Sequence, residues 1–264
     1  MKRLIIGLLV FVGLLVAADF GAAALAESAV SRQMREQLGL PDDPDVRING
    51  FPFVTQALAG TYSSIDVSAD RLRIGELQEV EVVAQLRGVE APLSEVLGSG
   101  PKSLKVAEAD GTVRVGADDV ERLLGGDVED LRIEAVDAAA LEQAVEDGGD
   151  ESLAALDPDD VARLVGTTSL LGAETVVSAL ATLELDGDVV RIVPRDIRLG
   201  DDATRLPEVV QDTVRNLFSI TVDPGSLPLD VTPTELRARD GVLEISGGTT
   251  DLVLGAAASA ASPG

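Results

Sequence analysis

The chain has 264 residues, 45% of them apolar, enough for one large domain or two small ones built on a hydrophobic core. It contains no His and no Cys, which excludes Ser–His and Cys–His nucleophiles, thiolate chemistry, disulfides and ordinary zinc sites. Its 21 basic and 46 acidic residues leave a net charge of −25, which argues against a nucleic-acid partner. With aromatics at 2% there is also little to stack bases or sugars.

Lys2 and Arg3 precede an unbroken apolar run from Leu4 to Ala18, closed by Asp19. A basic start followed by an apolar stretch of this length marks residues 1–26 as a signal peptide or a signal anchor. Ala24-Leu25-Ala26 offers a small-x-small cleavage site, whereas an uncleaved anchor would place Asp19 near one interface. Either outcome keeps the basic end inside and exports the body. Ala22, Ala26, Val30, Met34 and Leu38 then recur every four residues, the spacing of one helix face. Gly39 and Pro41 supply the stop. No proline interrupts residues 1–40, so one helix running from membrane to domain is expected, which argues mildly against cleavage.

Beyond Pro41 the period falls from four to two. Ile65 and Val67 alternate with polar neighbours, and Val80, Val82, Ala84 and Leu86 alternate with Glu81, Val83, Gln85 and Arg87. Both read as half-buried strands. Asp110-Gly111, Asp186-Gly187 and Asp240-Gly241 each precede a strand-like segment, and each is expected to turn a hairpin, giving an antiparallel meander. The stretch 137–166 carries Asp137, Glu142, Glu146, Asp147, Asp150, Glu151, Asp157, Asp159 and Asp160 against Arg163 alone. It is expected to form an acidic helical excursion at the periphery, with Asp157-Pro158 as a helix start. A second helix is expected over Asp202 to Phe218, with Leu206, Val210, Val214 and Leu217 on one face. The tail 255–264 is expected to be disordered.

Taken together, the helix running into Gly39-Leu40-Pro41 and the segment Ile48-Asn49-Gly50-Phe51-Pro52-Phe53-Val54-Thr55-Gln56 resemble the LmeA-like phospholipid-binding proteins of actinobacterial envelopes. Tyr62 to Val67, Val193-Pro194, the helix to Phe218, Leu227-Pro228-Leu229 and Asp240-Gly241-Val242 extend the likeness. The resemblance implies an exported, membrane-associated, phospholipid-binding domain over residues 27–254. It also implies an α+β fold of the tubular-lipid-binding kind, a strongly curved antiparallel sheet of hairpins wrapped along one or two long helices. The acidic stretch and the charge of −25 depart from what anionic lipid surfaces would attract.

Motifs for chemistry are weak. Ser99-Gly100-Pro101-Lys102 matches S-x-x-K, but Gly-Pro between the two residues prevents the helical turn that the pair requires. Asp157, Asp159 and Asp160 lack the ladder of a calcium loop and read better as helix caps. No phosphate-binding glycine loop is present, and no cofactor or catalysis is expected. Phe51, Phe53 and Phe218 read either as core anchors or as the mouth of an acyl-chain groove. The candidate groove lining is Phe51, Phe53, Val80, Val82, Leu86, Val210, Val214 and Phe218. The two functional expectations are a phospholipid carrier at the outer face of the plasma membrane and an envelope adaptor that binds another protein and no lipid. A carrier must leave an aliphatic trough unfilled, whereas an adaptor fills it and exposes apolar residues elsewhere.

Overall fold

The computed structural model describes residues 2–74, 77–92, 103–170, 173–186, 189–199, 204–205, 211, 215, 218–222, 232–239 and 241–255. Outside them lie Ser99 to Lys102, the Leu227-Pro228-Leu229 turn, residues 256–264 of the expected tail and most of the expected second helix. The fold is α+β, with a long N-terminal helix and antiparallel sheets. The chain divides into two compact units. One is Met1–Asp70, Val83–Gly111 and Gly248–Gly264, and the other is Arg71–Val82 and Thr112–Gly247.

In the first unit, helix α1 (Lys2–Leu38) continues from the apolar run straight into the four-residue stripe. It stops where Gly39 takes a left-handed φ of 65° and the Leu40 N–H closes on the Arg35 carbonyl at 3.0 Å. Strand β1 (Asp45–Asn49) pairs antiparallel with β2 (Thr61–Ile74), setting Val46 against Val67 and Ile48 against Ile65. Between them lies the short helix α2 (Phe53–Ala59). Phe53 and Tyr62 are buried with Val89, Val106 and Ala109, and Ala22, Ala23 and Ala26 of α1 close this core. The stripe read from the sequence is therefore the packing face of α1 as far as Met34, while Leu38 at its end is exposed.

Strands β3 (Leu77–Glu90) and β4 (Ser103–Gly116) follow β2 in the first sheet. The edge comes from the end of the chain, β11 (Thr232–Arg239) and β12 (Val242–Gly255), giving the order β1-β2-β3-β4-β12-β11. Strands β2, β3, β4 and β12 contribute residues to both units. One expectation fails here. Asp110-Gly111 makes no turn, because β4 runs straight through it. Gly111 stays out of the left-handed region, and the Asp110 carboxylate accepts from the Arg87 guanidinium at 2.8 Å. A strand tolerates this pair when a neighbouring strand supplies the charge partner.

The second sheet lies wholly in the second unit and curls into a half-barrel. It comprises β5 (Val128–Ala135), β6 (Val161–Leu170), β7 (Ala173–Asp186), β8 (Val189–Leu199) and β10 (Ile220–Val222) in the order β10-β8-β7-β6-β5. The two-residue β9 (Thr204–Arg205) pairs with β8. Successive strands β5 to β8 are antiparallel neighbours, which is the expected meander. Asp186 faces Val189, so the Asp186-Gly187 hairpin forms. So does the one at Asp240-Gly241, where Gly241 adopts a φ of 86°. Within the helix expected from Asp202, Thr204-Arg205 is a strand instead, while Gln211, Arg215 and Phe218, the other described positions of that span, are helical.

The acidic stretch is helical only as far as Asp160. Helix α3 (Ala117–Leu123) precedes it, and within it stand α4 (Ala138–Glu146) and the 3-10 turns Glu151–Ala155 and Pro158–Asp160. From Val161 the chain is β6, between β5 and β7. Leu141, Ala144 and Leu153 pack with Val161 and Leu180 in a small core of their own. The carboxylates cap these short helices: Asp137 accepts the Ala140 N–H, Asp150 that of Ser152 and Asp157 that of Asp159.

Candidate functional site

Three apolar i, i+2 pairs converge in the second unit: Val113 and Val115 on β4, Val190 and Ile192 on β8, and Leu243 and Ile245 on β12. Each pair follows one of the Asp-Gly dipeptides within a few residues. Alternation turns both members of a pair to one sheet face. Ile74, Leu77, Ile220 and the α3 residues Val120 and Leu123 complete the ring. All of these side chains are aliphatic, and the seam they enclose measures about 30 Å³. That is one water's share of liquid volume, against the 300–1,000 Å³ of ordinary ligand pockets. An acyl chain would have to part these walls on entry.

The opposite face of the same strands is polar. The Arg114 guanidinium donates to Glu81 and Glu244 at 2.9 Å each, a ladder across β3, β4 and β12. Helix α3 is held by Asp119. This carboxylate, 2% exposed, accepts the Gln78 and Glu79 N–H groups at 2.9 Å each and bonds the Arg122 guanidinium. Burial pushes the Asp119 carboxyl upward, but the two amides and Arg122 outweigh it and hold it below the ordinary carboxylate value. Asp119 thereby fixes Val120 and Leu123 against Leu77. A larger hollow of about 480 Å³ is lined by Asp118, Glu121, Asp130 and Arg132 among others. Its acidic lining suits neither an acyl chain nor a phosphate.

The residues expected to line a groove fall into separate places. Val80 and Phe218 are fully buried in the core that contains the seam, and half-buried Val82 packs against that core. Phe53 and Leu86 belong to the core of the first unit. Phe51 is exposed and stacks on Phe20 of α1 at 6.0 Å between ring centroids. Val210 and Val214 lie outside the described residues. The seam's own lining was absent from the expected set, although the pairs after the three Asp-Gly dipeptides mark six of its residues.

The Gly-Phe-Pro-Phe segment has a structural explanation. Gly50 adopts a φ of 109°, and a Cβ there would meet the Gln56 amide at 2.7 Å. The Gln56 side chain donates to the Asn49 carbonyl at 3.4 Å and accepts the Ser63 N–H at 2.9 Å. The Phe51-Pro52 peptide is cis. No side chain within α2 or at its N-cap satisfies its first amides. Asp19 of α1 does so instead, accepting the Phe53 and Val54 N–H groups at 2.8 Å each. Residues 17–248 match the LmeA-like phospholipid-binding family, a span that includes Asp19, α2 and the seam.

The chain belongs to the LmeA-like phospholipid-binding family. No curated protein and no solved structure matches it. Membership of the LmeA-like family fits a protein whose second unit holds a wholly aliphatic seam.

Proposed function

We propose that the protein is a non-enzymatic phospholipid-binding protein, held at the outer face of the plasma membrane by α1, that shelters an acyl chain in the aliphatic seam of its second unit. The observation that carries this reading is that seam, walled only by aliphatic side chains, in a member of a phospholipid-binding family. Apolar burial supplies about 0.8 kcal/mol per methylene, so affinity needs no charged clamp on the head group. A driving force of this kind is compatible with a net charge of −25. A role in envelope lipid or lipoglycan biogenesis fits this placement.

The reading of α1 as a retained anchor, rather than a cleaved signal, rests on the Asp19 cap of α2 and on Ala22, Ala23 and Ala26 against the first core. Glu27, which accepts the Ile48 N–H at 2.8 Å, and Ser31, whose hydroxyl donates to the Pro44 carbonyl at 2.6 Å, lie beyond Ala26 and hold the lower part of α1 in either case. Cleavage after Ala26 would remove the Asp19 cap and the alanines that close the first core. The second reading, an adaptor without lipid, draws its support from the small volume of the seam.

The test uses the full chain in acceptor vesicles and a fluorescent phospholipid in donor vesicles. Uptake is expected at low and high salt alike and with little preference among head groups. A folded protein that takes up no lipid under either condition would leave the adaptor.

A further inference from the structure

The foot of α1 carries an apolar surface that sheltering a lipid does not use. Residues 48–65 form a run of eighteen without one charged side chain, in a chain that is 25% charged. On α2 the inward side is Phe53 and Ala57, and the exposed residues are Val54, Thr55, Leu58 and Ala59, with the Thr55 hydroxyl donating to the Pro52 carbonyl at 2.8 Å. The outward face of this helix thus carries no charge and is mostly apolar, unlike an ordinary surface helix. Beside it the exposed rings of Phe51 and Phe20 stack at 23° between planes. The one charge between Leu4 and Ala26 is Asp19, and its carboxylate is buried against the Phe53 and Val54 amides. No exposed charge therefore interrupts the surface of α1 from Leu4 to Phe20, or the patch that Phe20 forms with Phe51 and α2.

Helix length supplies the second observation. The fifteen residues from Leu4 to Ala18 reach about 22 Å at 1.5 Å per residue. A bilayer's hydrocarbon core is about 30 Å thick. The apolar run is short by about 8 Å, roughly one and a half helical turns, and Phe20, Phe51, Val54 and Leu58 lie where it falls short.

We propose that these four side chains form a collar embedded in the leaflet on the body's side, so that α2 rests in the bilayer interface. The occupant of the patch is lipid. Aromatic rings at the end of a span and an uncharged helix beside it are what that zone accommodates. The proposal rests on the reading of α1 as a membrane span, and the test separates the two.

Because the chain has no cysteine, single-cysteine variants carry a spin label without background. Val54→Cys and Leu58→Cys report the collar, Leu9→Cys the span, and Glu142→Cys on α4 a water-exposed reference. The full chain is reconstituted in phosphatidylcholine vesicles, and each label is challenged with oxygen and with a water-soluble nickel chelate. Labels at 54 and 58 are expected to favour oxygen, at shallower depth than 9, while 142 favours the chelate. If 54 and 58 match 142 while 9 stays in lipid, the collar is wrong and the span stands. Labels in water at all of these positions would overturn both. Dipolar broadening at 58 that disappears on dilution with unlabelled chain would assign the patch to a second copy and also overturn the proposal.

Discussion

Replacing Asp19 by Ala removes the acceptor of two N–H groups at the start of α2, bonded at 2.8 Å each. Bonds to a charged acceptor contribute about 1.5–3 kcal/mol each, and loss of an N-cap costs about 0.5–2 kcal/mol. The Phe53 amide is buried and cannot turn to water, whereas that of Val54 is partly accessible and recovers some of the loss. We therefore expect Asp19→Ala to cost about 2–4 kcal/mol and Asp19→Asn, which keeps one acceptor oxygen, about half of that. The loss falls on α2 first, because a helix of 7 residues has almost no stability of its own. Hydrogen exchange of the reconstituted full chain reads this directly: each 1.4 kcal/mol is tenfold in local opening, so peptides over 50–60 should exchange about 30-fold faster or more in the Ala variant. Peptides from β6 and β7 should not change. Unaltered exchange over 50–60 would show that α1 does not hold α2, and the argument for a retained N-terminal helix would fall with it.

Asp119 makes stability depend on pH. Its folded value is depressed, so its stabilisation is present above the unfolded carboxylate value of about 3.9 and is lost as pH falls through the lower folded value. Asp119→Asn should therefore unfold earlier in urea at neutral pH by about 2 kcal/mol, with the gap closing below about pH 4; a gap independent of pH would refute the assignment. Leu153, fully buried with Leu141, Val161 and Leu180, should cost about 2–4 kcal/mol when cut to Ala. An unchanged thermal midpoint would return the stretch before Val161 to a dispensable excursion. Leu123→Asp should abolish lipid uptake and lower the unfolding midpoint less than Val120→Asp does, because both line the seam but Leu123 is half-buried and Val120 is fully buried. Uptake that survives Leu123→Asp would place the acyl chain elsewhere.

Local signals carried much of the fold into view from the sequence. The stripe from Ala22 to Met34 and its stop at Gly39 follow from helix geometry and glycine's freedom, which depend on neighbours in the chain. The Asp186-Gly187 and Asp240-Gly241 hairpins are local in the same way. Asp110-Gly111 shows where such signals fail: its partner is Arg87 on another strand, and tertiary pairing overrode the turn preference. Asp19 was legible only as the end of an apolar run. Its role depends on two backbone amides more than thirty residues away, and backbone amides leave no mark in a sequence. The seam stayed hidden for a related reason. Alternation shows that Val113, Val190 and Leu243 are buried on one face, but which strands meet is settled by topology.

The most direct test of lipid sheltering is photo-crosslinking of the reconstituted full chain with a phosphatidylcholine that carries a diazirine near the end of one acyl chain. Bulk bilayer lipid will label α1 in any case, so the informative adducts are those in the second unit. The account predicts labelling of Val113 to Leu123, Val190 to Ile192 and Leu243 to Ile245, abolished by Leu123→Asp. Adducts confined to residues 2–58, with the second unit folded and unlabelled, would contradict it.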